Sequence, residues 1–313
     1  MIISASRRTD IPAFYSDWFY SRIKEGYVLV RNPMNIHQVS RIPLTPDVVD
    51  CIVFWTKNPK PMMDKLDLLN DYSYYFQFTL NSYAKDIEPN VPSKNEELIQ
   101  TFRDLSDKIG KEKVVWRYDP ILINDKYSTD YHTKYFRKLA ELLNGKFDHC
   151  VISFVDSYRK NATNFKENHI QEPENHCIET IAESFAEISK ELGFSIKTCA
   201  EKCDLSLYGI GHGKCIDDEL ISRIIGTNLS VQKDKNQREE CGCVESIDIG
   251  MYNTCPHGCK YCYANYSYKT VVENHSKYDA LSPLLCGSLS EKDKITERKV
   301  KSLIESQLRF DNI

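Results

Sequence analysis

An α/β fold, a partial or complete β/α barrel, is the architecture predicted by this 313-residue sequence. Two patterns predict it. Short runs rich in β-branched and aromatic residues recur at Ile2 to Ser6, Cys51 to Trp55, Tyr74 to Leu80, Val114 to Tyr118, Val151 to Val155 and Phe194 to Cys199, each the length of a buried strand. Between them lie helical patterns of roughly 10 to 20 residues, and strands alternating with such helices make βαβ units and a parallel sheet. A doubly wound sheet is the competing arrangement. At roughly 150 residues per domain the length allows two domains, but one barrel of this size is also common.

The connecting elements follow from local chemistry. After the first strand, Tyr27 to Leu44 reads as an inserted hairpin or extended loop. Ser93 to Ile109 reads as a helix, with Ser93 and Glu96 forming a capping box and Gly110 closing the end. Tyr131 to Asn144 stops at Gly145, and Glu174 to Leu192 stops at Gly193. The run Gly209-Ile-Gly-His-Gly, which contains His212, is too short for a dinucleotide fingerprint and lacks its strand and helix. Lys233 to Glu240 is a solvated polar loop. Glu291 to Phe310 alternates charges at helical spacing and predicts a C-terminal amphipathic helix packed on the body.

Composition narrows the function classes. Hydrophobic residues at 41% and charged residues at 27% are those of a globular chain. No apolar run approaches the ~18 residues of a membrane span, so no membrane partner is expected. The opening MIISASRRTD has no basic segment ahead of an apolar run, and a cytoplasmic location is expected. A net charge of −4 lacks the footprint of a protein living on nucleic acid, so any polyanion must be bound locally. Twelve cysteines in a reducing compartment point to metal rather than disulfides, the more so because eight fall between Cys199 and Cys262 inclusive.

Polar residues follow the apolar runs: Arg7, Arg8 and Asp10, then Thr56, Lys57 and Asn58, then Asn81, then Arg117 and Asp119, then Asp156 and Tyr158, and finally Glu201. In parallel α/β folds the C-terminal ends of strands face the ligand, so these groups should converge on one mouth. Arg8, Lys57, Arg117 and Asp119 are the candidate catalytic residues, and Asn58 and Glu201 are candidates for binding a cofactor. Guanidinium forks pair with carboxylates and phosphates, which favours an anionic substrate, whether a small molecule or something larger. The bland alternative is internal ion pairing, Arg7 or Arg117 with Asp10 or Asp119, that merely braces the rim.

The strongest signal is Cys255-Pro-His-Gly-Cys259-Lys-Tyr-Cys262-Tyr-Ala-Asn. Pro256 and Gly258 let the backbone curl so that three thiolates share one tight loop. Three thiolates hold three irons of a [4Fe–4S] cluster and leave the fourth open, unlike ferredoxin sites with four cysteines or zinc ribbons with paired CxxC knuckles. His257 either shields such a cluster or simply fills the loop. CxxxCxxC with Tyr261 before the last cysteine resembles the signature of the radical S-adenosylmethionine (SAM) superfamily. That resemblance implies SAM on the open iron, reductive cleavage to a 5′-deoxyadenosyl radical, hydrogen abstraction from substrate, Tyr261 against the adenine, and an electron donor such as flavodoxin or ferredoxin. The motif usually follows the first barrel strand but here lies near the C-terminus, so a permuted order is expected. In it Ser246 to Gly250 is the strand feeding the loop and the strand at Ile2 is the next one round. Over nearly its whole length, including ISASRRTDIPAFY, FWTKNP and WRYDPI, the chain resembles the domain of unknown function 1848 family. The cysteine loop and the TKNP segment are also distantly similar to spore photoproduct lyase, which gives nucleic-acid repair or modification as the alternative activity.

A second constellation is Cys199, Cys215, Cys241 and Cys243, with Cys203 as the spare. Four sulfurs suit an auxiliary iron–sulfur cluster that relays electrons or anchors substrate, while structural zinc and unligated thiols are the alternatives. A non-catalytic electron-transfer or zinc-binding protein is thereby a third reading of the whole chain. Cys51, Cys150, Cys177 and Cys286 read as packing residues. The expected division is residues 1–200 for the barrel, 201–245 for the auxiliary cysteine region, and 246–313 for the cluster strand, its loop and a helix closing the same barrel.

Overall fold

The computed structural model describes residues 1–158 and 161–305. The strands in chain order are β1 (Ile2–Ala5), β2 (Tyr27–Asn32), β3 (Asn35–Pro43), β4 (Cys51–Thr56), β5 (Tyr74–Thr79), β6 (Val114–Ile121), β7 (Cys150–Phe154), β8 (Ile196–Thr198), β9 (Gly211–His212), β10 (Ile247–Asp248) and β11 (Lys294–Glu297), and the six predicted runs supply β1 and β4 to β8. Eight of them make one sheet in the order β10-β1-β4-β5-β6-β7-β8-β9, with every neighbouring pair parallel. The permutation is present: β10 pairs beside β1, with Ile3 opposite Ile247 and Ser4 opposite Asp248.

The sheet is open. β9 and β10 stand at its two edges, so a complete barrel, one of the two forms expected, is not formed. Its first and last strands span only two residues each, which gives too few ladder bonds to zip the edges together. The segment Gly209 to Gly213, rejected as a dinucleotide fingerprint, supplies β9.

One face of the sheet carries the larger core. Ile3, Ile52, Phe54, Phe76, Val114, Trp116 and Ile152 pack there with the helices Ser16–Glu25, Ile99–Ile109, Thr129–Leu143 and Asn175–Leu192. Phe136 stacks on Phe185 with ring centroids 3.6 Å apart. Alternate residues point the other way, as the two-residue period of a strand requires. Ile2, Val53, Tyr75, Val115 and Val151 therefore form a second cluster with Cys215, Ile216, Leu220, Cys241, Cys243 and Val244. The auxiliary cysteine region thus lies against the inner face of the sheet.

Ser93 caps its helix as expected, its Oγ accepting from Glu96 N at 3.4 Å, although the first turn, Lys94–Leu98, is a π-helix. The hairpin of β2 and β3 also forms. The C-terminal helix does not. Lys294–Glu297 is a strand, parallel to β3 with Ile295 opposite Val39, and residues 298–305 form no helix. The remainder of that predicted helix, residues 306–310, lies outside the described residues. Alternating charge is compatible with either period, and a long-range partner strand decided it. Among its described residues the region 246–313 contributes β10 to the main sheet, the helix Tyr268–His275 and β11 to the sheet of the hairpin.

Candidate functional site: two cysteine sets on the strand ends

The loop after β10 is bound on all sides. Asn90 N donates to His257 O at 3.2 Å and its side chain to Pro256 O at 2.8 Å, while Lys260 N donates to Ile87 O at 2.9 Å. Asn265 Nδ2 reaches Cys255 O at 2.6 Å. Gly258 sits at φ +69°, the left-handed region glycine enters without strain, and a Cβ there would meet Asn90 and Pro89 at 3.3 Å. The result brings Cys255, Cys259 and Cys262 close enough for their charges to act on one another. Burial raises all three thiols, Cys259 to about 12, so they hold their protons until something displaces them.

Around this loop stands a buried charge network. Asp10 Oδ2 accepts from Lys57 N at 2.7 Å and meets His257 Nε2 at 2.9 Å. Glu88, only 1% exposed, pairs with Lys57 Nζ at 2.8 Å and Lys94 Nζ at 2.7 Å, and accepts from the Tyr261 hydroxyl. Burial works against its charge, but the two ammonium groups prevail and hold the carboxyl well below its ordinary range. The same carboxylate and Cys259 hold Lys57 above its ordinary value against burial. Tyr261 is buried, its ring 5.9 Å from that of Tyr83, and Asn81 Nδ2 lies 3.3 Å from its hydroxyl. Glu88 escaped the sequence reading, since a lone acid in a polar loop carries no signal.

The second set also converges. Cys199 Sγ and Cys215 Sγ are 2.9 Å apart, a thiol contact well beyond the ~2.05 Å of a disulfide. Cys243 Sγ accepts from Cys215 N at 3.3 Å and Ile216 N at 3.4 Å, and Cys241 lies in the same buried cluster. Cys203 packs against the other face instead, so it is not part of this group. Among the described residues no three His, Cys, Asp or Glu side chains are arranged to hold a single metal ion.

The remaining candidates divide. Arg117 is saturated: Nη1 donates to Cys215 Sγ at 2.8 Å and Gln77 Oε1 at 3.2 Å, and Nε donates to Asp119 Oδ2 at 3.0 Å. Asp119 also accepts from Ser153 Oγ at 2.6 Å. Arg117 pairs with Asp119, as the bracing alternative had it, and Lys57 pairs with Glu88. Arg8 differs: its Nη1 donates to Gly250 O at 3.5 Å, and the Asp248 carboxylate stands 3.8 Å from Nε. Asn58 spends its side chain on Lys60 N at 3.2 Å, a turn role. Glu201 accepts from Phe154 N at 2.8 Å, and burial, with Asp156, Asp119 and Cys199 adding, raises its carboxyl to about 7.

The donor chemistry suits iron–sulfur clusters at both sets. At the first, three convergent thiols share a pocket with His257 Nδ1, which is buried without a partner. At the second, Arg7 Nη2 and Trp55 Nε1 are likewise buried without partners. Leaving a buried donor such as Arg7 Nη2 or Trp55 Nε1 unsatisfied costs about 1–3 kcal/mol, which an acceptor beside it would remove.

An open parallel sheet with a three-cysteine loop at its strand ends defines an α/β protein with a cysteine-built candidate site. The chain belongs to the DUF1848 family (domain of unknown function), whose model matches residues 2–264 and so takes in the whole eight-stranded sheet and both cysteine sets. No curated protein matches it. Among solved structures, one named a putative alpha-L-fucosidase from Bacteroides thetaiotaomicron VPI-5482 aligns at 12% identity over 74% of this chain and 82% of its own, with a TM-score of 0.25. No helix among the described residues is long and apolar enough to cross a membrane.

Proposed function

We propose that the chain is a cytoplasmic enzyme of the radical SAM type, which abstracts hydrogen from an organic substrate. Cys255, Cys259 and Cys262 would hold the [4Fe–4S] cluster, with SAM at the fourth iron. The observation that carries this reading is the anchored loop, which gathers three buried thiols beside the Lys57 end of β4. When bound, cluster and SAM together supply one-electron chemistry able to break an unreactive C–H bond.

The chain's own residues prepare the place. Asp10 fixes His257 through Nε2 and fixes the turn after β4 through Lys57 N. Glu88 pairs with both Lys57 and Lys94 and holds Tyr261, so each ammonium group has a carboxylate partner. Binding iron must expel the thiol protons, which burial retains, and so should proceed faster as pH rises. For an anionic substrate, Arg8 has the longest internal pairing of the three cationic candidates, and we assign the substrate role to it.

Full-length protein reconstituted anaerobically with iron and sulfide, then reduced with dithionite, should convert SAM to 5′-deoxyadenosine. Cys255→Ala, Cys259→Ala and Cys262→Ala should each abolish the product. Intact clusters in electron paramagnetic resonance without any 5′-deoxyadenosine would sink this function, and zinc alone at the loop would sink it sooner.

A further inference from the structure

We infer that Cys199, Cys215, Cys241 and Cys243 form a second, coordinatively closed iron–sulfur site, with Arg7 and Trp55 as donors to its sulfur atoms. The placement comes first. Cys199 directly follows β8, Cys215 follows β9, and Cys241-Gly-Cys243 runs back along the same inner face toward β10. Four chain positions distant in sequence therefore meet in one buried pocket, and chance packing of thiols gives no reason for two guanidinium groups to meet there too.

Hydrogen bonding distinguishes a cluster from zinc. Four thiolates on zinc offer only thiolate sulfur as acceptor, and those of Cys215 and Cys243 already take Arg117 Nη1, Cys215 N and Ile216 N. Arg7 Nη2 and Trp55 Nε1 are left over, both fully buried. Trp55 packs against the cluster that holds Cys215, Cys241 and Cys243, and its ring lies between Arg7, at 5.4 Å, and Arg117, at 5.2 Å. Inorganic sulfide supplies the missing acceptors. A single residue between Cys241 and Cys243 also falls short of the C-x2–4-C knuckle usual for zinc.

Four thiolates leave no iron open, so this site carries electrons and anchors no substrate. One electron would enter from a reduced carrier of the flavodoxin or ferredoxin class and leave to the cluster of the three-cysteine loop, returning the second site to its oxidised state. Arg7 joins the two sets: its carbonyl accepts from the Tyr263 hydroxyl at 2.8 Å, next to Cys262, while its guanidinium feels the charge of Cys243 and Cys215. The relay direction rests on the function proposed above; the existence of the second cluster does not.

The test uses the full chain, reconstituted anaerobically. Wild type should bind about eight irons, and Cys255→Ala/Cys259→Ala/Cys262→Ala should keep about four, with a dithionite-induced paramagnetic signal that SAM leaves unchanged. Adding Arg7→Gln or Trp55→Phe to that triple variant should retain the iron and lower the midpoint potential, since fewer donors then stabilise the reduced, more negative cluster. A triple variant that folds by circular dichroism yet holds no iron, that takes one zinc in its place, or that shows a Cys199–Cys215 disulfide overturns the site. An unmoved potential overturns the roles of Arg7 and Trp55. If the triple variant keeps its irons but wild type shows no SAM-sensitive signal, the first reading fails and the second site stands.

Discussion

His132 shows what one buried side chain costs and contributes. Its Nδ1 lies 2.9 Å from the Tyr118 hydroxyl and its Nε2 2.8 Å from Leu122 O, with the residue fully buried. Burial outweighs the help of the Leu122 carbonyl and depresses its pKa to about 4, so it folds neutral. An unfolded histidine protonates near 6.5. Between those values the unfolded chain binds the extra proton, so the stability is fully present above about pH 6.5 and falls as pH drops towards 4. The loss amounts to about 3 kcal/mol. Urea unfolding of wild type and His132→Gln across pH 4 to 7 should show this slope only in the wild type, and parallel curves would refute the assignment. Glu88 is the other residue-scale case. Removing its charge by Glu88→Gln strands two ammonium groups in the interior, and breaking a buried pair from one side costs about 3–5 kcal/mol. Denaturation midpoints at pH 7 read this directly. Charge geometry of this kind was invisible in sequence, because Lys57 follows β4 while Glu88 and Lys94 lie in the connection after β5, and only the fold brings the two segments together.

At the scale of elements, the junction of β1 and β10 decides where the cysteine loop sits. Asp248 accepts from Ser4 Oγ at 3.0 Å, Ser6 Oγ at 2.6 Å, Arg7 N at 2.8 Å and Gly250 N at 2.9 Å, so one carboxylate stitches the turn after β1 to the turn after β10. The strand at Ser246 to Gly250 and its place beside the strand at Ile2 were expected from the position of the cysteine motif. The stitching was not legible, because it depends on register. Gly250 is constrained by the same contact, since a Cβ there would lie 2.1 Å from Ser6 Oγ. Asp248→Ala and Gly250→Ala should each destabilise by about 2–3 kcal/mol and lower the iron bound at the three-cysteine loop, measured by unfolding and by iron per chain. β11 marks the opposite failure of sequence reading. Lys294–Glu297 is exposed throughout, so no burial pattern announced it, and its only structural reason is the edge of β3.

The whole molecule is a single sheet with different chemistry on its two faces. The outer face is bulky and aromatic and was legible from the strand and helix patterns. The inner face uses small β-branched residues and is filled by the cysteine region, which sequence analysis set apart as a separate region between sheet and loop. The two faces should therefore respond differently to the same kind of cavity. Leu220→Ala empties space in the inner cluster that holds Cys215 and Cys243, while Phe136→Ala empties space on the outer face against Trp116 and Phe185, outside the cluster of the second thiol set. Each should cost about 2–5 kcal/mol. Only Leu220→Ala should also reduce iron, by up to about four per chain, because the second set is packed by that layer and its binding free energy is shared with folding. Iron analysis on fully folded fractions of both variants separates the outcomes. Equal iron in the two would mean that the inner layer packs independently of the cysteines, and would detach the proposed cluster from the architecture that gathers its ligands.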